Sequence, residues 1–252
     1  MGNFMHAAGA RRRPPAISTN WALFLDVDGC LVEFGDDPST TRATPRLVAA
    51  LDAVSERLCG AVALVSGRML ASLDRVFASA RYPAAGMHGL EWRDGDAGPR
   101  IAEHVRMHDI GAVAARARVA MAAYPGALVE EKGAALALHW RAAPEAEPVA
   151  TEFAGNALRE LPGYRLEPGN HVIELRPAGV DKGAAVRRFM AQPPFAGRVP
   201  VFVGDDLTDE AGFAAADAMG GIGILVGDRE GSRARHGLAD PAAVLAWLEA
   251  LP

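Results

Sequence analysis

Ala22-Leu23-Phe24-Leu25-Asp26-Val27-Asp28-Gly29 decides the fold. Its apolar run has the length of a buried strand and ends in two carboxylates, and Gly29 lets the chain turn away sharply. Outward from it, Thr44-Pro45 forms an N-cap and first-turn pair, with Leu47, Leu51, Val54 and Leu58 following at helical spacing. A second buried strand over 61–65 runs into Ser66-Gly67-Arg68. Near the other end, a helix over 181–190, a strand over 199–203, a helix over 209–217 and a strand over 223–226 repeat the alternation. Asp240-Pro241 opens a last helix. Strands alternating with amphipathic helices predict an α/β fold around a doubly wound parallel sheet, Rossmann-like in plan.

The middle of the chain has a different texture. Alternating stretches over 134–141 and 171–176 flank a helix around 149–161, and Glu167-Pro168-Gly169-Asn170 reads as a hairpin turn. This is an α+β insert, placed at 106–177, in a core made of 18–105 and 178–252. Residues 1–17, with Arg11, Arg12 and Arg13, read as a disordered arm.

Composition narrows the function. The 252 residues are half apolar, enough for a sizeable core, and 26 basic against 31 acidic residues give a net charge of −5. That balance opposes general nucleic-acid binding, which needs a basic face. No apolar run approaches the ~20 residues of a membrane span. Cys30 and Cys59 have neither metal-type spacing nor a disulfide framework, so a reducing, cytoplasmic setting is expected. Of the 26 basic residues only Lys132 and Lys182 are lysines. In a chain that writes positive charge as Arg, they mark places where a compact ammonium is needed, or are two leftovers on the surface.

Four segments stand at expected strand ends or helix starts, where open parallel sheets place their sites. Asp26 and Asp28 can supply a nucleophile or metal ligand and an acid/base, although Asp-rich turns are common. Ser66, Gly67 and Arg68 offer a hydroxyl and backbone N–H groups to an anion, or simply an N-cap. Lys182 can neutralise a phosphoryl group and crowded carboxylates, or be a surface lysine. In Gly204-Asp205-Asp206-Leu207-Thr208-Asp209-Glu210, four acids within six residues suit a hard cation such as Mg²⁺, or an acidic helix start.

Taken together and in this order, the four segments resemble the haloacid-dehalogenase-like phosphohydrolase superfamily. The resemblance implies that Asp26 attacks phosphorus and that Asp28 protonates the leaving alkoxide and later activates water. Ser66 and Lys182 would hold the phosphoryl oxygens. Mg²⁺ would be held by Asp26, the Asp28 carbonyl and Asp205, with Asp206 or Asp209 in support. One departure stands out: the superfamily usually has Thr or Ser two residues after the second Asp, and here it is Cys30.

Within the insert, Glu130 with Lys132, His139 with Arg141, and Glu174 with Arg176 share strand faces if the chain is extended there. Gly86-Met87-His88-Gly89-Leu90-Glu91, Glu130-Glu131-Lys132-Gly133, Leu138-His139-Trp140-Arg141, Glu174-Leu175-Arg176-Pro177, Asp181-Lys182-Gly183 and 204–210 resemble trehalose-6-phosphate phosphatases, from about Ala22 to Val226. This resemblance implies a haloacid-dehalogenase-type core with an inserted α+β cap domain. It implies that Glu130, Lys132 and Glu174 bind the distal glucose, with His88 and Arg141 nearby, and that Gly67 and Arg68 contact substrate. The expected function is Mg²⁺-dependent hydrolysis of a small sugar phosphate, trehalose 6-phosphate, with no nucleic-acid or membrane partner. Association with a trehalose-6-phosphate synthase is left open. The alternatives are the same chemistry on another sugar phosphate, such as sucrose phosphate, and a non-catalytic sugar-phosphate sensor.

Overall fold

The computed structural model describes residues 11–33, 40–78, 82–95, 98–101 and 110–250. The chain divides into two compact units, 1–101 with 181–252, and 102–180. The junction expected at 105/106 lies outside the described residues.

The first unit is built on an eight-stranded sheet in the order His236–Leu238 (β12), Ile222–Val226 (β11), Val199–Gly204 (β10), Trp21–Leu25 (β1), Val62–Val65 (β2), Ala84–Gly86 (β3), Glu91–Arg93 (β4) and Arg100–Ile101 (β5). All pairs are parallel except β3 with β4 and β4 with β5. β1 lies between β10 and β2, with Leu23 opposite both Val201 and Val62. The sheet order reverses at β1, so a crevice opens at the carboxyl ends of β1 and β10. Asp26 leaves one end and Asp205 the other.

The helices begin where side chains can accept their free N–H groups. Thr44 Oγ1 accepts from Leu47 N at the head of α1 (Pro45–Arg57). Asp181 accepts from Ala184 N at 2.6 Å ahead of α5 (Lys182–Met190), and Asp240 accepts from Ala243 N at 2.7 Å ahead of α7 (Pro241–Glu249). α2 (Leu70–Val76) has no such side-chain cap of its own; Leu70 N donates instead to Glu91 Oε2 on β4 at 3.0 Å. α1 packs with α7, and α5 packs with α6 (Glu210–Ala218). Phe24 on β1 stacks on Phe195 at 5.5 Å between centroids and meets Phe189 of α5 at 6.2 Å.

The second unit is an antiparallel sheet, Leu128–Lys132 (β6), Ala135–His139 (β7), Val172–Pro177 (β9) and Tyr164–Gly169 (β8) in that order. It carries α3 (Gly111–Met121) and α4 (Glu147–Glu160). Leu136, Leu138, Ile173 and Leu175 form a separate core with Ala114, Ala117, Ala150 and Ala154 of these helices.

Two expectations need correction. The arm over 1–17 is ordered where it is described. Arg12 pairs with His236 on β12, Arg11 Nη2 donates to Arg229 O at 2.7 Å, Pro15 O accepts from Trp247 Nε1 at 2.9 Å, and Ile17 is buried. β12 is an edge strand whose unpaired backbone groups recruit this segment; residues 1–10 lie outside the described residues. The hairpin turn is also shorter than expected, because Glu167, Pro168 and Gly169 belong to β8 and His171 carries the positive φ of 60°.

Gly183, beside Lys182, is where α5 meets α6: a Cβ there would stand 2.4 Å from Ala211 O. Gly183→Ala should therefore force the two helices apart and destabilise the unit by about 1–3 kcal/mol. Urea denaturation reads this directly, and an unchanged midpoint would contradict the close approach.

Candidate active site

The crevice at the sheet's reversal gathers buried charge. Asp26, directly after β1, is buried and donates its N–H to Val203 O at 2.9 Å. Lys182, at the first turn of α5, places Nζ 3.0 Å from Asp26 Oδ2 and 2.6 Å from Asp209 Oδ1. The other Asp209 oxygen accepts from Asp205 N at 2.8 Å and Asp206 N at 2.9 Å, folding the acidic loop around it. Arg229 secures that loop from outside, donating to the carbonyls of Asp205 and Asp206 and pairing with Glu210.

This crowding shifts the acids. Burial, then the charge of Asp209, raises Asp26 well above the usual carboxylate range against the pull of Lys182. Burial and the neighbouring carboxylates push Asp205 up to about 7, and burial also raises Asp209. On Lys182 burial works the other way, but Asp209 and Asp26 outweigh it and raise its pKa, so the ammonium persists.

Oxygens of Asp26, Asp205 and Asp209 all lie within 4.8 Å of one another. Asp205 Oδ1 is buried with no hydrogen-bond partner among the described residues. An oxygen-only set with an unsatisfied inner acceptor fits a hard divalent cation. Asp206, also expected as a ligand, stands outside this cluster. Its Oδ1 caps the turn Leu207–Asp209, accepting from Thr208 N and Oγ1, each at 2.7 Å. Burial pulls its pKa upward, yet Lys182 and the Thr208 bonds hold it below the ordinary range.

Ser66, Gly67 and Arg68 lie between β2 and α2, and α2 starts only at Leu70. The buried Ser66 Oγ accepts from Arg68 N at 3.1 Å, making a turn rather than a helix cap. The Arg68 side chain crosses to Asp28 as a two-pronged pair, Nε to Oδ2 at 2.7 Å and Nη2 to Oδ1 at 2.6 Å. So Asp28 and Arg68, given separate expected roles, face each other. His88 meets the same loop: its N–H donates to Ser66 O at 2.9 Å, and Met87 N to Arg68 O at 2.8 Å. A Cβ on Gly67 would stand 2.9 Å from the His88 ring. Met87, His88 and Gly89 all have positive φ, at 48°, 56° and 104°.

In the second unit the strand register brings together residues far apart in sequence. Glu130, Ala137, Glu174 and Glu167 lie opposite one another across all four strands. Two positions along, Lys132 lies opposite Ala135, and Arg176 opposite Arg165. A line of carboxylates thus runs beside a line of cations. Glu130 and Glu174 stand two strands apart, on either side of Ala137, about 9–10 Å from backbone to backbone. Arg141 is tied to the hairpin end, donating to Asn170 O at 3.3 Å. Glu167, missed by the sequence reading, pairs with Arg165 at 2.8 Å.

The sequence profile of the trehalose-phosphatase family matches residues 24–241. A probable trehalose-phosphate phosphatase of Sinorhizobium fredii is 43% identical over 216 residues, spanning 84% of this chain and 81% of the relative. The trehalose-6-phosphate phosphatase of Escherichia coli is 38% identical over 237 residues, spanning 93% and 88%. The C-terminal domain of trehalose-6-phosphate phosphatase from C. albicans shares the fold, with a TM-score of 0.78 at 23% identity over 93% of this chain and 96% of that one.

The raised Asp205 makes a pH prediction. Between its ordinary value of 3.8 and about 7 the folded protein holds a proton that the unfolded chain has released. The native state then binds more protons, so this stability is present at low pH and is lost as pH rises through that window. With divalent cations chelated, urea midpoints should fall from about pH 5 to about pH 7, and Asp205→Asn should flatten the slope. An equal slope in the variant would place the titration elsewhere.

Proposed function

The chain belongs to the trehalose-phosphatase family of phosphoric monoester hydrolases, and from that premise we propose that it hydrolyses trehalose 6-phosphate to trehalose and phosphate through a phosphorylated Asp26. The observation that carries the reading is the Lys182 ammonium, 3.0 Å from Asp26 and 2.6 Å from Asp209 in a buried acidic crevice.

Asp26 attacks phosphorus as the bond from phosphorus to the sugar oxygen breaks. Ser66 Oγ, the Gly67 N–H and Lys182 Nζ supply donors for the phosphoryl oxygens. Asp28, entering the cycle protonated, passes that proton to the departing sugar oxygen and recovers one from the water that attacks the acyl phosphate, which frees phosphate and restores both Asp26 and the Asp28 proton. To do so it gives up at least one of its two Arg68 hydrogen bonds, so Arg68 both orients Asp28 and sets its release. Mg²⁺, held by Asp26, Asp205 and Asp209 with the Asp28 carbonyl, would supply Lewis-acid polarisation and reduce repulsion between the nucleophile and the phosphate.

Sugar recognition belongs to the charged face of the second unit. Carboxylates at Glu130 and Glu174 accept hydroxyl protons, and Lys132 donates to a hydroxyl oxygen. Cytoplasmic residence is part of the same proposal, since both cysteines are free thiols. Among the described residues no helix is long and apolar enough to cross a membrane.

Phosphate release from a panel of sugar phosphates, with and without Mg²⁺, tests the substrate and metal assignments together. Asp26→Asn should lower turnover by about a thousandfold or more while the protein stays folded; near-normal turnover would remove Asp26 as nucleophile. Lys132→Ala and Glu174→Ala should each cost about tenfold to a hundredfold in kcat/KM on trehalose 6-phosphate. Small aryl phosphates, which carry no sugar, should keep their rate. Equal losses on both substrates would mean that these residues serve the fold instead.

A further inference from the structure

His139 ends β7 on the same face as Ala137, and none of the proposed steps uses it. Its Nε2 lies 2.9 Å from Glu130 Oε2 on the neighbouring strand. Lys132 Nζ reaches the same oxygen at 3.7 Å. Both contacts converge on Oε2, which leaves Oε1 to accept a hydroxyl. A glutamate side chain has three rotatable bonds, and on an open strand face it samples many orientations. Fixing it before a ligand arrives removes that ordering cost from binding.

We infer that His139 is a positioning residue that presets the Glu130 carboxylate for the sugar. The inference rests on the reading that Glu130 contacts the sugar. It is supported by the state of the carboxylate: the His139 bond, ahead of every other influence, holds Glu130 below its ordinary pKa although burial pushes the other way. The acceptor therefore stays ionised and oriented at once. Glu174, two strands away across Ala137, approaches the sugar from the other side of the same line.

The test is steady-state kinetics on trehalose 6-phosphate and on p-nitrophenyl phosphate, for His139→Ala, His139→Gln, Glu130→Ala and the Glu130→Ala/His139→Ala pair. His139→Ala should raise KM for trehalose 6-phosphate about tenfold, with kcat little changed and the aryl phosphate rate intact. His139→Gln puts an amide N–H where Nε2 stood and should restore most of the affinity. The double variant should be no worse than Glu130→Ala, because a residue acting only through Glu130 has nothing left to lose. Should His139→Ala fail to fold, His139→Phe keeps the ring shape without the donor and carries the same comparison. Equal losses on both substrates, additive losses in the double variant, or no rescue by Gln would each overturn the positioning role. If Glu130→Ala binds trehalose 6-phosphate normally, the sugar-face reading fails and His139 falls with it. If Glu130→Ala is impaired and His139→Ala is not, only the inference fails.

Discussion

A lysine ammonium buried among carboxylates organises the first unit. Lys182, Asp26 and Asp209 are all almost wholly withdrawn from water, and removing three charged groups from solvent is expensive unless they satisfy one another. They can do so only if β1, β10 and the starts of α5 and α6 are placed to within a few tenths of an ångström. Small residues make that possible. Gly183 lets α5 approach Ala211, and a Cβ on Gly204 would overlap the Asp209 carboxylate at 2.3 Å. A compact ammonium fits between two carboxylates where a planar guanidinium would have to span them. In a chain with 24 arginines and two lysines, this geometry gives a physical reason for one of the lysines.

The second unit meets a different constraint. Its apolar face is closed by alanine-rich helices, so its stability comes from its own core. The opposite face is then free to carry charge in any pattern the register allows. Its carboxylates largely have partners: Glu130 meets Lys132 and the His139 ring, and Glu167 meets Arg165 and Arg176. Partly exposed pairs of this kind contribute little to stability. Their more consequential effect is to hold side chains in defined positions on a flat surface.

Local signals made most of the framework legible. Apolar runs marked the strands, and Thr44 and Asp240 announced helices through short-range caps. What stayed hidden depended on pairings between distant residues or on choices between chemically equal ones. Asp206 and Asp209 are three apart and identical in type; only the tight turn between them assigns one to capping and the other to the crevice. Pro168 and Gly169 read as a turn, yet they sit in a strand, which concealed Glu167. Arg11 looked like part of a solvated tail because nothing in its neighbours reports the open edge of β12.

Asp28 is held in place from far away in the sequence. A hydroxyl at position 30 would be a strong, adjustable donor, whereas Cys30 is fully buried. Burial and the charge of Asp26 drive its thiol well above its ordinary range, so it remains a neutral, weak donor. Order at Asp28 comes from elsewhere: both of its oxygens are taken by Arg68, 40 residues away in sequence. Arg68 is in turn bonded to Thr41 at 3.2 Å. Its loop is laced to Met87 and His88, whose left-handed backbone costs on the order of 1–3 kcal/mol each. Such strain persists only where surrounding contacts over-determine it. Here the His88 and Met87 N–H groups are spent on Ser66 and Arg68 carbonyls, and the His88 ring closes over Gly67. The strained turn therefore fixes the loop, the loop fixes Arg68, and Arg68 fixes Asp28.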